Sequence, residues 1–530
     1  MSVVYVSPTG SGDRSGSSKA NAAAIDSLNS IVIKAGEGGT VVLAADEGAY
    51  TTTRSLTITG SGVTITATNR DGTSGVAVFE GSRAENWTVG QANGNELFRI
   101  AAGADNLVLE NMHFVNTGTA IRVIGDVENL TVRDMEADNV RRFFENLISG
   151  EEQTATISGL LIQNVDVSGF SKNAIRLQYD TNNVLIQNVR GDSERQDGDN
   201  FAMGVHLDDT VHDVVFQRVI MENAIQTRDA TEYWNGDGFS AERGTYNIYF
   251  RDTVARGNAD GGYDIKSSHV VFDNALSEGN GRNYRLWGDD IVMRDSTGRD
   301  PEKIGGTTSQ GQVWVGAGGD VTIINSQFED AGTSTIVFNN EGGALHLIDT
   351  EVELAEGARL TSGPVTGLSE RDVDRMPPAG SSSYEPSPAP DGGEGLLPSL
   401  VGLLEDVLGE GRSVTNLLEG LSHDLLASTG SSRNFEFSTN RDVSWADDPD
   451  ALAGYLQDTG SAQTGHATET WASDQDIATP ADLAGIDVQF MASPDLPDLP
   501  ASAFLLNSGE GAYYNPGQGN VEDGFSFLIA

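Results

Sequence analysis

A short motif recurs ten times between residues 106 and 352, and it restricts the fold more than any other feature of the chain. Each copy alternates apolar and polar residues and carries an Asn or Asp at its start or middle. Examples are NLVLENMHF from Asn106, GLLIQNVDV from Gly159, NIYFRDTVA from Asn247 and HVVFDNALS from His269. Successive copies start 23, 30, 24, 30, 34, 22, 21, 30 and 24 residues apart. Val, Ile, Phe and Thr at a period of two, repeated every 20–30 residues or so, are the mark of a parallel β-solenoid rather than a helical repeat. Each coil holds a second strand, as in TAIRVIG, NAIRLQY, MGVHLDD, DGFSAER, GGYDIKS and RNYRLWG. One coil cannot bury its inward face, but stacked coils share a continuous core. Asn and Asp between strands tolerate left-handed backbone and form ladders from coil to coil. The expected fold is therefore all-β, a right-handed parallel β-helix over residues 1–365. A short amphipathic helix over Ala22–Ile33 is expected to cap its first coil.

At 530 residues the chain exceeds an ordinary single domain, unless it grows lengthwise as a solenoid does. The periodicity stops where a Pro/Gly/Ser-rich stretch begins, which sets an expected linker at 366–397. The C-terminal region, 398–530, opens with Leu and Val at helical spacing (LPSLVGLLEDVLGEG), suggesting a short amphipathic helical pair, and continues as an acidic tail.

Lys and Arg number 32 against 78 Asp and Glu, a formal charge of −46. Nucleic acid and an anionic membrane surface would be repelled. An acidic substrate would need a local basic patch or a bound cation. With no cysteine, disulfides and thiolate metal sites are excluded. The first residues lack the basic and apolar regions of a secretory leader, and VEDGFSFLIA at the end resembles the C-terminal signals of type I export. The expectation is a monomeric, extracellular protein exported by type I secretion machinery.

Aligning the second strands on their apolar residue sets Ile121, Ile175, Val205, Phe239, Tyr263 and Tyr284 in one inward column. The next residues then point outward: Arg122, Arg176, His206, Ser240, Asp264 and Arg285. Two positions on, also outward, come Ile124, Gln178, Asp208, Glu242, Lys266 and Trp287. Coils in register bring such neighbours to about 4.8 Å. Asp264, Lys266, Glu242, Asp208, His206, Arg285 and Trp287 are thus expected on one exposed face, with Asp237 and Asp260 beside them. Hard cations such as calcium need several oxygens on a rigid frame. Asp237, Asp260 and Asp264 offer three, although DG dipeptides also serve as turns. Asp264, inside a strand, has no turn role.

The opening VVYVSPTGSGDRSGSS and the GGTVVLA strand resemble the start of pectate-lyase-like β-helix proteins. DGF at Asp237–Phe239 and ADGGYD at Ala259–Asp264 resemble, more closely, the calcium-binding segments of the β-helical polysaccharide lyases of family nine. That resemblance implies a Ca2+ cofactor held by Asp237, Asp260 and Asp264. It departs at Gly261, where the family carries a further aspartate. It also implies β-elimination on a uronic-acid polymer, with a lysine base in a GNGFKLGG-like segment. Here GNGRNYRLWG puts Arg285 at that position. Arginine stays protonated and makes a poor base, so Lys266, one coil earlier, is the alternative; Arg285 would otherwise clamp a substrate carboxylate, and Lys266 would pair with Glu242. Arg176 and Arg243 are candidates to hold uronate carboxylates, His206 to contact substrate and Trp287 to stack on a sugar ring.

Polygalacturonase-type hydrolases share the fold, but their NTD and RIK segments are absent. The YGFDPH-like segment of mannuronan epimerases is also missing; GGYDIKSS echoes it faintly. A non-catalytic adhesin or fibre would present a bland outward face, unlike the Asp, Lys, Arg and Trp gathered between residues 200 and 290.

Overall fold

The structure, a computed structural model, describes residues 2–376 apart from 53, 228–231, 308, 333–334 and 369–372. Its strands pair in parallel with their counterparts one coil on, in three stacks. The first stack carries the repeat motif, for example His212–Glu222, Tyr246–Arg251, Ser268–Asp273 and Ile291–Arg294. The second holds shorter strands such as Val254–Arg256, Leu276–Glu278 and Thr297–Arg299. The third runs through Asn173–Leu177, Met203–Leu207, Asp237–Ala241, Gly261–Ile265, Arg282–Leu286 and Gly311–Val315. The fold is the right-handed parallel β-helix, the hand that parallel crossover connections adopt.

Left-handed residues turn the chain at the corners. Asn111, Asp134, Asn164, Asn188, Asp252 and Asn274 lie between the first and second stacks with φ of 52 to 60°. Their side chains bond from coil to coil: Asn164 Nδ2 donates to Asp134 Oδ1 at 2.9 Å, and Asn274 Nδ2 to Asp252 Oδ1 at 2.7 Å. Asn and Asp suit these positions because they accept the backbone strain and satisfy each other's polar atoms.

The core is filled by rings at strand spacing. Phe216, Phe250 and Phe272 stack 4.9 and 4.8 Å apart with planes within 9°. Phe239, Tyr263 and Tyr284 form a second ladder at 4.9 and 5.3 Å, meeting the first edge-on. The tyrosine hydroxyls are satisfied, Tyr263 by Thr253 Oγ1 and Tyr284 by the Thr297 carbonyl. This is the inward column read from the sequence.

Three boundaries differ from expectation. The α-helix spans Leu28–Ala35, not Ala22–Ile33; Ala23–Ala24 instead pairs with Val6–Ser7 as a strand, and Ile25–Ser27 forms a 3-10 turn. Leu28, Ile31, Val32 and Ala35 are its buried face, so it still caps the core. The coil that starts at Asn129 also has a second strand, absent from the columns between Ile121 and Ile175. Residues Arg142–Asn146 continue the strand Val127–Asn146 and place Phe144 and Glu145 in the columns, so Glu145 separates Arg122 from Arg176. Adjacent Phe143 and Phe144 are both buried, which hides the alternation there. The stack also continues past residue 365: Val373–Met376 pairs with Glu351–Ala355, inside the segment read as linker. Residues 377–397 and the C-terminal region, 398–530, lie outside the described residues.

Because Phe250 contacts rings on both neighbouring coils, Phe250→Ala is expected to cost about 3–5 kcal/mol. A lowered midpoint in denaturant unfolding would show it; a change below about 1 kcal/mol would mean that the ladder is not cooperative.

Candidate active site

Register alone assembles the site. Phe239 pairs with Tyr263 and Ser240 with Asp264; Gly261 pairs with Arg282, Asp264 with Arg285, and Arg285 with Trp314. Asp264, Arg285 and Trp314 therefore follow one another on the outward face. Glu242, Lys266 and Trp287 continue the same column past the strand ends, each N–H donating to the coil before at 2.7–2.9 Å. Asp237 opens its strand, and the Asp260 N–H donates to the Gly236 carbonyl at 2.9 Å.

The three aspartates are brought together, but they are not exposed: Asp237, Asp260 and Asp264 are 2, 1 and 4% accessible. The expected open face is in fact two layers, with carboxylates beneath and longer side chains above. Arg282 Nη1 donates to Asp260 Oδ1 at 2.8 Å, while Arg285 Nη1 and the Tyr233 hydroxyl donate to Asp260 Oδ2 at 2.9 and 2.5 Å. Trp287 Nε1 donates to Asp264 Oδ1 at 3.0 Å, and Arg285 Nη1 reaches Asp264 Oδ2 at 3.3 Å. Lys266 Nζ donates to both oxygens of Glu242, at 2.7 and 2.9 Å, and lies 3.5 Å from Asp264 Oδ2. Asp237 Oδ1 accepts the Gly261 N–H at 2.7 Å. A Cβ at position 261 would stand 2.7 Å from that same oxygen, so the residue must be glycine while Asp237 holds this pose.

Charge separates the protonation states. Burial, reinforced by the negative charges of Asp260 and Asp264, pushes the Asp237 carboxyl well above its usual range. Burial acts the same way on Asp264, but Arg285, Lys266 and the Trp287 N–H outweigh it and hold that carboxyl low. For Lys266, burial is outweighed by Asp264 and Glu242, and its ammonium is stabilised. Arg285 is likewise stabilised, burial losing to Asp264 and Asp260. The close neighbours of Lys266 are thus anions, and at rest it is charged and paired with Glu242. Arg285 stays charged throughout.

The remaining candidates are spread along the same face. His206 sits between Arg176 and Ser240 in the outward column. Burial, then the charge of Arg176, depresses its imidazole to about 3, so it is neutral. Arg176 pairs with Asp208 at 3.5 Å. Arg243 is exposed in the turn after the Asp237–Ala241 strand and takes no part in the aspartate network. Trp287 meets Trp314 with ring centroids 4.0 Å apart, and the Arg285 guanidinium carbon lies 5.5 and 5.8 Å from the two rings. On the other side, Trp234 lies over Gly305 and Gly306, where a Cβ would come within 2.2 and 2.5 Å of it. The Thr307 N–H donates to the Glu232 carbonyl there, joining two loops into one wall.

Sequence reasoning missed Tyr233, Arg282 and Trp314. Trp314 was within reach, since it occupies the Arg285 position one coil on. Arg282, two residues before Tyr284, is read as inward by the same alternation, which hid it. Tyr233 lies in an aperiodic loop, and nothing local marks it.

Calcium takes roughly six to eight oxygen ligands. Here all four oxygens of Asp260 and Asp264 accept protein donors, and among the described residues no group of three or more His, Cys, Asp or Glu side chains is arranged to hold a metal ion. The implied Ca2+ site does not fit this arrangement.

No family profile matches the sequence, and no curated protein matches it. Solved structures that match include pectate lyase Pel9A, at 17% identity and a TM-score of 0.42 over 57% of this chain and 76% of that one. Endo-xylogalacturonan hydrolase from Aspergillus tubingensis matches at 11% and 0.40, over 72% and 100%. The A-module of mannuronan C-5 epimerase AlgE4 from Azotobacter vinelandii matches at 12% and 0.41, over 70% and 96%. The fold assignment rests on the strand pairing itself.

A raised Asp237 means that the folded state keeps a proton which the unfolded chain releases above about pH 4. Folded stability therefore falls as pH climbs from there through the folded value. Asp237→Asn, neutral throughout, is expected to melt higher than the parent at pH 8, with the difference shrinking toward pH 4. A difference independent of pH would show that Asp237 is ionised in the fold.

Proposed function

We propose that the protein is an enzyme that cleaves a uronic-acid-containing polysaccharide by β-elimination, outside the cell, on the face built by the third stack. The observation that carries this reading is the layering of charge. Over the buried aspartates lie Lys266, Arg282 and Arg285, with Arg176 farther along the same face, cations gathered on a chain of net charge −46. An acidic polymer repelled by the rest of the surface finds its countercharge there. An extended chain laid along the stack passes Arg176, His206, the aspartate cluster and the Trp287–Trp314 pair in turn. Tryptophan faces suit sugar rings, and an arginine fork suits a carboxylate.

In this reading Arg285 neutralises the sugar carboxylate and so acidifies the proton on the adjacent carbon. Lys266, leaving Glu242, takes that proton as a neutral amine. Its electron pair forms the carbon–carbon double bond as the bond to the 4-linked oxygen breaks, and that oxygen leaves with a proton from solvent. Since Asp264 and Glu242 hold Lys266 charged, the rate rises with pH toward the raised value of that amine.

A second reading is favoured by one observation: two neighbouring carboxyls are driven apart, Asp237 protonated and Asp264 ionised. Such a pair suits hydrolysis, with Asp237 as acid and Asp264 activating water. Its rate would fall as pH rises through the Asp237 value, opposite in slope to elimination.

Pectate, alginate and bacterial exopolysaccharides incubated across a pH series distinguish the two. New ultraviolet absorbance from an unsaturated uronate, growing into alkaline solution, supports the lyase. New reducing ends without it, declining in alkali, support the hydrolase. No cleavage of any acidic polymer would sink both and favour a structural β-helix. For the lyase, Lys266→Ala is expected to lower kcat about 10²–10⁴-fold. Glu242→Gln, by removing a stabilising anion, is expected to move the rising limb to lower pH.

A further inference from the structure

We propose that Arg285 is a resident cation: its guanidinium takes the place between Asp260 and Asp264 that a divalent ion would take in a carboxylate cluster, so the site works without bound metal. One nitrogen, Nη1, bridges the two aspartates at 2.9 and 3.3 Å, one oxygen from each. Arg282 holds the other oxygen of Asp260 at 2.8 Å, and Trp287 Nε1 the other oxygen of Asp264 at 3.0 Å. All four oxygens of Asp260 and Asp264 are thus engaged by donors from Arg282, Arg285 and Trp287, with the Tyr233 hydroxyl added on Asp260.

Gly261 completes the argument from the opposite side. A carboxylate at that position would add oxygens for a metal, but a Cβ there would collide with Asp237 Oδ1. The backbone N–H of Gly261 donates to that oxygen instead. Glycine at 261 and arginine at 282 and 285 act in the same direction. Each lowers the negative charge and the number of free oxygens in the gap. The cationic charge persists in either case, but an arginine cannot dissociate, whereas a divalent ion can be stripped. Trp287 and Trp314 fix the guanidinium in place, with its central carbon 5.5 and 5.8 Å from their rings.

This inference deepens the carboxylate-neutralising role given to Arg285, yet ion binding tests it separately from activity. Calcium bound by the full chain would be counted by isothermal titration calorimetry, with terbium luminescence as a second probe. The parent protein and Asp264→Asn are expected to bind the same number of ions, because the cluster holds none. Arg285→Ala, which leaves Asp260 and Asp264 uncompensated, is expected to gain about one ion per chain. The double variant Arg285→Ala/Asp264→Asn is expected to lose that ion again. Arg285→Gln, which keeps the side-chain bulk, serves where the alanine variant fails to fold. If Asp264→Asn removes an ion from the parent protein, a metal enters beside Arg285 and the proposal is overturned. It is overturned equally if neither Arg285 variant gains a site. Failure to cleave any polysaccharide would remove the catalytic reading and leave these counts unchanged.

Discussion

Parallel strands stacked in register put each outward side chain beside its equivalents on the coils above and below, and the aspartate cluster exists only through that stacking. Asp264, Arg285 and Trp314 come from strands 21 to 29 residues apart in sequence, yet ladder pairing makes them consecutive. The inward rings lock the same register from within: Phe239, Tyr263 and Tyr284 face the core one residue before Ser240, Asp264 and Arg285 face out. A slip by one residue would exchange the two sets and place charges in the core. The hydrophobic ladder and the polar cluster are thus one constraint seen from its two sides.

Burial then decides what the polar side can do. In water, three neighbouring aspartates and a lysine would hold ordinary protonation states. Beneath Arg285 and Trp287 two of them diverge: the Asp237 carboxyl is pushed well above its usual range while the Asp264 carboxyl is held low. The difference follows from partners, since Asp264 has two cations and an indole N–H, whereas Asp237 Oδ1 has a backbone amide. The excess of acidic residues elsewhere on the chain makes this neutralised patch the unusual part of the surface.

Much of this was legible in the sequence. The repeat spacing set the solenoid, and alternation placed Tyr263 inward and Asp264 and Arg285 outward, because period-two patterning survives wherever one face is buried. Legibility failed where the pattern is locally broken. Adjacent buried Phe143 and Phe144 concealed one coil's second strand, and the cap helix begins six residues late because Ala23–Ala24 has a strand partner in Val6–Ser7. Tyr233 reaches Asp260 from an aperiodic loop. Protonation was the least readable property. Spacing put Lys266 on the outward face, but spacing says nothing about which charge lies nearest in three dimensions, and that charge is Glu242.

The corner ladder has a bearing on how such a chain can change. The left-handed corner residues Asn111, Asp134, Asn164, Asn188, Arg218 and Asp252 lie 23, 30, 24, 30 and 34 residues apart, although the strands they join stay in step. The surplus residues leave as loops between stacks and return to the same left-handed turn. Coil length is consequently a free variable and register a fixed one. Insertions of ten residues can remodel the walls of the groove, as the loop bearing Tyr233 and Trp234 does, without moving Asp264 relative to Arg285. The scaffold keeps its reactive column constant while leaving the surroundings that choose a polymer open to revision.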